Sequence, residues 1–511
     1  MTGADEDASP PAVTRGEVAR GAALAGLSRM GALIEAVAQP LYVWLFGLAG
    51  YGIYVVLWGA ISLLTNILDL SMTTALQRIV PTRDEDQAHG AVKLALIATT
   101  IPAALVALIV SLNAAAIAPI FAAAPEDAAR LPDAIALFIW ALPLWTFIEV
   151  ATSAARARRA FGPEIRLRIF WEQIARILFA VGFFLLGFQS TGLMAAHLCS
   201  LALTALLCLP LLSRYYDLRC LVRAPISGEL ARTLIGSGLA LLPANLSRRA
   251  LIDAPPLVLN LMIPGAAGAA AAGLFEIARK ISTVVFIVRQ SFQYVLAPLS
   301  SAAAHADRSQ VAPLYHFAAR VSTALVVPLA GLIIFTGPDI LSVYRREAAA
   351  ALPLLVILGA ARAAEAIAGP AITVVEMICH RAWPLVNSAV AVFVWVGTAA
   401  ILVPAYGAWG MAISVSAAVL ASTYAAMLEL KFAEGLSPFD RKLFQGLGVA
   451  LAGVAGMALV SAAAGGPLRF AGNLLLWAGT SWLALRYGLS RDDRLALGGL
   501  SRKLRLVREP A

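Results

Sequence analysis

Charged residues are scarce in this 511-residue chain: Asp, Glu, Lys and Arg together make up only 14% of it. A water-soluble domain carries about 25% charged residues, so an ordinary soluble class is excluded. Only five lysines occur and none follows a glycine, which excludes a GxxxxGK[ST] phosphate loop. The four cysteines show no CxxC or paired spacing, so we expect small apolar fillers and predict no metal and no cofactor.

Apolar residues fill the chain instead: 60% of it is hydrophobic and its mean hydropathy is +0.81. A helix needs about 20 apolar residues to cross a bilayer. The sequence therefore predicts an all-α polytopic membrane protein with about 14 transmembrane helices. The predicted spans lie near 21–48, 52–80, 92–121, 134–156, 166–188, 192–213, 232–262, 271–302, 317–336, 349–377, 383–403, 408–431, 444–464 and 468–487.

Basic residues crowd one alternate set of loops, including RARRAFGPEIRLR at 156–168, and are rare in the other set. Because Lys and Arg concentrate in cytoplasmic loops, we place both termini in the cytoplasm. The net charge of +9 is then mostly a topology signal, and we expect no nucleic-acid partner. No HExxH or GxSxG motif is present, and the poorly charged loops are too short for a catalytic domain. We predict a transporter rather than an enzyme.

Weak internal repeats share one offset. Gly52 in GYGIYVV and Gly273 in AAGLFEI lie 221 positions apart, and Arg159 and Arg381, in two similar loops, lie 222 apart. This offset predicts two six-helix lobes related by a pseudo-twofold axis along the membrane normal, followed by two extra helices. The predicted units are a disordered cytoplasmic tail (1–19), an N-lobe (20–213), a cytoplasmic linker (214–228), a C-lobe (229–431), helices 13 and 14 (432–487) and a basic cytoplasmic tail (488–511).

Ionisable residues lie inside several predicted spans. The stretch LFEIARKISTVVFIVRQSFQYV, 274–295, places polar residues on one half of a helix and apolar residues on the other. A charge at mid-membrane costs about 2.5–3.5 kcal/mol, so these side chains must face protein or water. We predict that helices from both lobes place them in one aqueous, cationic cavity. The predicted binding residues are Arg29, Arg78, Arg248, Arg249, Arg279, Lys280, Arg289 and Arg362.

Intramembrane ion pairs that only fix helix packing are the alternative for part of this set. Glu276 precedes Arg279 and Lys280 by one helical turn, and Arg362 precedes Glu365 in the same way. Spacing alone leaves both interpretations open for these residues.

The span that carries Arg248 and Arg249 raises a separate expectation. Positive charge at these two positions, and at Arg289 on the next span, exceeds the visible carboxylate partners, which favours the cavity. Pro255 and Pro256 follow, and we expect them to break this helix near mid-membrane.

Three stretches together resemble one family. A first span ending in FGLAGYGIYVV, a second ending in SMTTALQRIVP and an inner loop SAARARRAFGP resemble the polysaccharide flippases of the multidrug/oligosaccharidyl-lipid/polysaccharide exporter superfamily. The resemblance implies a V-shaped two-lobe fold in the bacterial inner membrane. It also implies export of an undecaprenyl-pyrophosphate-linked oligosaccharide for lipopolysaccharide O-antigen, capsule or exopolysaccharide. Relatives that flip the peptidoglycan precursor use arginines on helices one, two and eight, which match Arg29, Arg78 and either Arg279 or Arg289.

The resemblance also implies partners and a driving force. The partners are the lipid-linked oligosaccharide, the bilayer and the glycan polymerase or ligase machinery, and we expect a monomer. An inside-negative membrane potential favours outward movement of an anion by about 2.3 kcal/mol per charge per 100 mV. Proton or sodium coupling through Asp69, Glu149 or Glu365 is the alternative.

Three other functions compete with this interpretation. A multidrug antiporter of the same superfamily would need an acidic cavity for cationic drugs, whereas the predicted cavity is basic. A major-facilitator carrier would carry a GxxxDRxGR-like loop after the second span, and TRDEDQAHG matches it poorly. A membrane scaffold for glycan assembly, without transport, is the third alternative.

Overall fold

A computed structural model describes most of the chain. Its backbone is described for residues 15–158, 160, 162, 165–189, 191–306, 311–379, 382–497, 501 and 503–506. Within these ranges the side chains of residues 15–33, 35, 36, 165, 169, 286–306 and 496 are not described. Most of the predicted N-terminal tail, residues 1–14, therefore lies outside the described residues.

Helices make up the described chain, and no strand occurs in those ranges. In the first half they are α1 (Arg15–Leu68), α2 (Met72–Ile79), α3 (Glu85–Leu112), α4 (Ala114–Ile117), α5 (Pro125–Ala128), α6 (Leu131–Phe138), α7 (Ala141–Ala157), a π-helical turn (Ile165–Trp171), α8 (Glu172–Leu185) and α9 (Thr191–Tyr215). Then follow α10 (Leu218–Arg223), α11 (Gly228–Met262), α12 (Gly265–Ala306), α13 (Val311–Phe335), α14 (Gly337–Leu341), a 3₁₀ turn (Arg346–Ala351), α15 (Leu352–Ile367), α16 (Ala371–Ile378), α17 (Ala382–Glu434), α18 (Arg441–Ala463), α19 (Gly466–Gly488) and α20 (Arg491–Ala496).

Two of these helices are too long for one membrane passage. The 54 residues of α1 and the 53 residues of α17 would each extend about 80 Å at 1.5 Å per residue. Gly47 interrupts α1 with φ 76°, and Gly407 interrupts α17 with φ 55°. Glycine adopts positive φ without the steric cost that other residues meet, so each break lets the chain turn back.

Side-chain caps explain where several helices begin. Asp84, Ser227 and Asp440 each accept a hydrogen bond from the backbone N–H three residues further on, at 2.8, 3.1 and 2.8 Å. These bonds satisfy N–H groups that the first turns of α3, α11 and α18 would otherwise leave unpaired. All three caps lie in the predicted cytoplasmic set of loops.

The all-α class predicted from the sequence is confirmed. Eight described helices are long and apolar enough to cross a membrane, judged by length and composition. Each predicted span falls on one to three consecutive helical elements. The number of fourteen transmembrane helices stays a prediction.

The prediction of a break at Pro255 and Pro256 was wrong, because α11 continues through both prolines to Met262. Ala254, Pro255 and Pro256 are buried, and α1 approaches this segment closely. A Cβ added at Gly59 of α1 would lie 2.6 Å from the backbone oxygen of Asp253. Packing against a neighbouring helix therefore holds the helical path where proline removes backbone donors.

The helix α1 joins the two halves of the chain, because it packs along both α11 and α12. The close approach is made by the two repeat glycines: a Cβ added at Gly273 would lie 3.3 Å from Cα of Gly52. The C-terminal pair α18 and α19 packs on α13 rather than on the first half. The chain thus places charged segments of α1, α2, α11 and α12 side by side.

Candidate functional site

The predicted cationic residues lie on five helices. The side chains of Arg29 on α1 and Arg289 on α12 lie outside the described residues. Arg78, near the end of α2, and Arg248 and Arg249, at the middle of α11, are exposed. These three guanidinium groups are accessible to a ligand.

Arg248 and Arg249 have few competing partners. Arg248 Nη2 donates to Asn245 Oδ1 at 3.1 Å, and Arg248 Nη1 lies 3.6 Å from Glu376 Oε1 of α16. The Arg248 side chain is 62% exposed, and an ion pair this accessible contributes little. Arg249 makes no hydrogen bond or ion pair with any side chain that the structure describes, although the carboxylates of Asp69, Glu149 and Asp253 lie within its electrostatic range. Both residues can therefore turn toward an anion.

Three other predicted cations each have a carboxylate on their own helix. Arg279 donates to Glu276 through Nε and Nη2, at 2.7 and 2.6 Å, and Lys280 Nζ lies 3.9 Å from the same carboxylate. Arg362 Nη1 donates to Glu365 Oε2 at 2.8 Å. The ion pairs that the spacing allowed are thus present, while the cationic side chains stay 19–26% exposed. A role in binding stays a prediction for these three.

A small polar cavity lies between the end of α1, α7 and α11. Its volume is about 50 Å³, and it is lined by Ser62, Thr65, Asn66, Asp69, Thr73, Trp145, Glu149 and Arg249. Asp69 Oδ2 accepts a hydrogen bond from Thr73 Oγ1 at 3.0 Å. The other carboxylate oxygen of Asp69 is buried and accepts no hydrogen bond from a described residue. This space is large enough for a water molecule or a small cation.

A backbone break places Asp69 at this cavity. Leu70 and Ser71 adopt φ of 48° and 56°, the left-handed region that residues with a side chain seldom occupy. This turn ends α1 and starts α2 in a new direction, so the carboxylate of Asp69 is directed inward. The residue is only 8% exposed. Uncommon backbone geometry of this kind tends to occur at functional positions.

Glu149 has a partner that the sequence analysis did not identify. Arg168 Nη2 donates to Glu149 Oε1 at 2.8 Å, and the guanidinium group of Arg168 lies 4.5 Å from the ring centroid of Trp145. Arg168 sits on the π-helical turn before α8, and such turns are frequent at functional sites. Glu149 is therefore a paired carboxylate, whereas Asp69 keeps one oxygen without a donor.

Asp253 connects the two halves of the chain beside this cavity. Ser62 Oγ on α1 donates to Asp253 Oδ2 on α11 at 2.6 Å. Asp253 also lies within electrostatic range of Arg249, Arg279 and Glu276. The structure therefore brings charged residues of α11 and α12 near Asp253, and one cationic cavity shared by both lobes stays a prediction.

Carboxylates are more numerous around the predicted cations than the sequence analysis assumed. Arg168, Asp253 and Glu376 all lie within predicted spans but were not among the predicted site residues. Their intramembrane position was the available signal. Among the residues that the structure describes, no three His, Cys, Asp or Glu side chains converge as a metal site requires.

No family model matches the sequence, and no curated protein matches it either. Solved structures do match. The lipid II flippase MurJ, in an inward closed conformation, superposes with a TM-score of 0.71 at 10% identity, covering 91% of this chain and 99% of MurJ. An inward-facing multidrug resistance MATE family transporter of the MOP superfamily gives a TM-score of 0.62 at 16% identity, covering 81% of this chain and 94% of the transporter.

The chain has the fold of the MOP-superfamily transporters. A MOP-superfamily transporter from Pyrococcus furiosus, described as having a binding pocket of reverse polarity, gives a TM-score of 0.58 at 15% identity, covering 82% of this chain and 94% of that protein. The MOP fold confirms the resemblance found in the sequence at the level of architecture. These neighbours are transporters rather than enzymes.

Proposed function

We propose that this protein is a flippase that moves an undecaprenyl-pyrophosphate-linked oligosaccharide across the bacterial inner membrane by alternating access. Surface polysaccharide biosynthesis is the process that such a substrate would serve. The observation that carries the proposal is the pair Arg248 and Arg249, two exposed arginines at the middle of an apolar helix. The likeness to the lipid II flippase MurJ supports a lipid-linked substrate.

Arginine suits a pyrophosphate because its planar guanidinium group forms charge-assisted hydrogen bonds to two phosphate oxygens at once. Arg78 on α2 adds a third exposed guanidinium group from the first half of the chain. The nearby carboxylates reduce the net positive potential. We infer that the cluster binds the anion strongly enough to select it and weakly enough to release it.

The direction of transport follows from the loop charges. If the basic loops face the cytoplasm, an inside-negative potential drives the anionic headgroup outward. Ion coupling through Asp69, Glu149 or Glu365 is the second drive in the proposal. Asp69 fits this role best because it has an oxygen without a donor in the small cavity, whereas Glu149 and Glu365 already pair with arginines.

A multidrug cation antiporter is the second candidate, and one observation favours it. The buried Asp69 carboxylate beside Glu149 provides negative charge that could attract a cationic drug or exchange a proton. The likeness to a multidrug resistance MATE transporter covers 81% of the chain. The exposed arginines of α11 count against this candidate, because they would repel the same cation.

Proteoliposomes separate the two candidates. Flipping of a fluorescent polyprenyl-pyrophosphate oligosaccharide should require the protein and fall at least about tenfold in an Arg248→Ala, Arg249→Ala double variant. Arg223→Ala, an exposed arginine of the predicted linker, is the matched control and should retain activity. Transport of ethidium with no flipping of the lipid would reject the flippase and support the antiporter.

A further inference from the structure

A hydrogen-bonded contact joins the two halves of the chain on the face opposite the basic loops. Trp44 Nε1 donates to the backbone oxygen of Val343 at 2.8 Å. In the reverse direction, Arg345 Nη2 donates to the backbone oxygen of Trp44 at 2.5 Å. The indole N–H of Trp44 therefore donates one hydrogen bond, and its backbone oxygen accepts another, across the junction between α1 and the segment that follows α14.

The break at Gly47 explains why the backbone oxygen of Trp44 is available. Gly47 leaves the helical conformation, with φ 76° and ψ 164°, so the preceding turn of α1 ends there. Carbonyl groups in the last turn of a helix have no donor within the helix and bind other groups instead. Arg345 supplies such a donor, and a Cβ added at Gly47 would lie 3.9 Å from Arg345 Nη1.

A buried chain of polar groups lies beneath this surface contact. Gln39 Nε2 donates to the hydroxyl of Tyr51 at 2.7 Å, and the hydroxyl of Tyr344 donates to Gln39 Oε1 at 3.2 Å. Gln39, Tyr51 and Tyr344 are 2%, 3% and 4% exposed. A buried polar group that loses its partner is costly, so breaking the bond between Tyr344 and Gln39 without a replacement partner carries a penalty.

The backbones below this chain leave no room for a side chain. A Cβ added at Gly52 of α1 would lie 1.9 Å from the backbone oxygen of Ala269 on α12. Above the contact is an open cavity of about 700 Å³, whose lining includes Arg345, Glu126 and Glu347. Arg345 therefore lies between this open cavity, which we call the vestibule, and the closely packed junction of α1 and α12.

We propose that Trp44, Arg345, Gln39 and Tyr344 form an interhalf latch that keeps this face of the transporter closed. Opening of this face would have to separate α1 from the 343–345 segment, which breaks the two surface bonds and the buried bond from Tyr344 to Gln39 together. The latch residues are positioning residues, because they set the ratio of closed to open molecules without touching the cargo at the arginine cluster. The inference rests on the proposed transport function only in that transport requires this face to open.

Spin-label distances test the latch without any substrate. Labels at Glu126→Cys and Glu347→Cys report across the vestibule, in protein held in lipid nanodiscs with the four native cysteines replaced by serine. An Arg345→Gln, Trp44→Phe double variant should shift the ratio of closed to open molecules by about tenfold toward longer distances. The control Arg346→Gln changes the neighbouring exposed arginine and should keep the parent distribution.

A parent-like distance distribution in the double variant overturns the latch, and so does an equal shift in the Arg346→Gln control. If the double variant unfolds, Tyr344→Phe tests the same unit, because it removes one hydroxyl and keeps the ring. That variant should populate the longer distance, and no change in it would also overturn the latch. Failure of lipid flipping with a normal latch response would reject the proposed cargo instead.

Discussion

Among single residues, Asp69 and Glu149 line the same small cavity but differ in their partners. Glu149 pairs with Arg168, while one oxygen of Asp69 has no donor among the described residues. A buried charge that loses its partner is costly, whereas removing an unpaired charge is not.

This difference predicts opposite effects of two conservative changes. Glu149→Gln should lower the free energy of unfolding by about 1–3 kcal/mol, because Arg168 loses its charged partner. Asp69→Asn should leave thermal stability unchanged or raise it. Thermal unfolding in detergent, followed by intrinsic fluorescence, checks both, and a larger loss in Asp69→Asn would contradict the assignment.

The sequence was informative about which residues are charged within the membrane and less so about their partners. Spacing by one helical turn identified Glu276 with Arg279 and Arg362 with Glu365. It could not identify Arg168 with Glu149, because that bond joins two helices. Periodicity reports which residues share a face of one helix and carries no information on which helices pack together.

At the scale of helices, glycines decide how closely α11 and the end of α1 can pack. A Cβ added at Gly238 would lie 2.3 Å from the backbone oxygen of Leu70, whereas Gly236, two residues earlier, has no atom within 4 Å of an added Cβ. The two glycines lie on different faces of the same helix.

A matched pair of alanine substitutions follows. Gly238→Ala should destabilise the protein by about 1–3 kcal/mol, because backbone atoms must move apart. Gly236→Ala should stabilise it by about 0.5–1 kcal/mol, because alanine is the better helix former. Chemical denaturation in mild detergent measures both, and equal effects at the two positions would show that this close approach is not real.

Arg320 is one of the residues that link the C-terminal helix α20 to the body of the protein. Arg320 on α13 donates to Asp440, which caps α18, and to Asp493 in the first turn of α20. Burial raises the pKa of Asp440, but hydrogen bonds from Arg320 and from the backbone N–H of Leu443 hold that pKa below its ordinary value.

Arg320→Ala should release α20 with a local loss of about 3 kcal/mol, seen as faster hydrogen exchange in residues 491–497. The control Arg491→Ala changes an exposed arginine of the same helix and should leave exchange unchanged.

The lowered pKa of Asp440 leads to a separate prediction on pH. A carboxyl group with a lowered pKa contributes stability above its unfolded pKa, about 3.9. Protection of the first turn of α18, which Asp440 caps, should therefore hold from pH 7 to about 5 after correction for intrinsic exchange, and fall below about pH 4. Unchanged protection at pH 3.5 would contradict this role.

Helix positions were predictable, while helix breaks were only partly so. Long apolar runs located every described helix that could cross a membrane, and glycine-containing turns such as PAYGAWG marked the break at Gly407. The double proline misled the prediction, because packing against Gly59 maintains α11 through Pro255 and Pro256. The left-handed break at Leu70 and Ser71 had no signal in glycine or proline.

For the whole molecule, the proposed drive makes a quantitative prediction. Moving one negative charge outward across 100 mV, inside negative, is favoured by about 2.3 kcal/mol. Imposing that potential on proteoliposomes should raise the outward-to-inward distribution of the pyrophosphate lipid about tenfold or more, with no pH or sodium gradient. A distribution that responds only to a pH or sodium gradient would assign the drive to ion coupling at the Asp69 cavity.

The overall architecture was recoverable from the sequence because its signals add over many residues. Hydropathy, the alternation of basic loops and the repeat glycines Gly52 and Gly273 all indicated one membrane-embedded fold, and the likeness to MurJ and to MATE transporters confirms that fold. The charge balance at the site was not recoverable, because it depends on a few side chains contributed by separate helices.

Binding of matched lipids tests the central claim most directly. Purified protein in nanodiscs should bind polyprenyl pyrophosphate at least about tenfold more tightly than the uncharged polyprenol, since each charge-assisted hydrogen bond is worth more than about 1.4 kcal/mol. The Arg248→Ala, Arg249→Ala double variant should lose this preference, and Arg223→Ala should keep it. Equal affinity of the parent protein for the two lipids, or an undiminished preference in the double variant, would contradict the assignment of an anion site on α11.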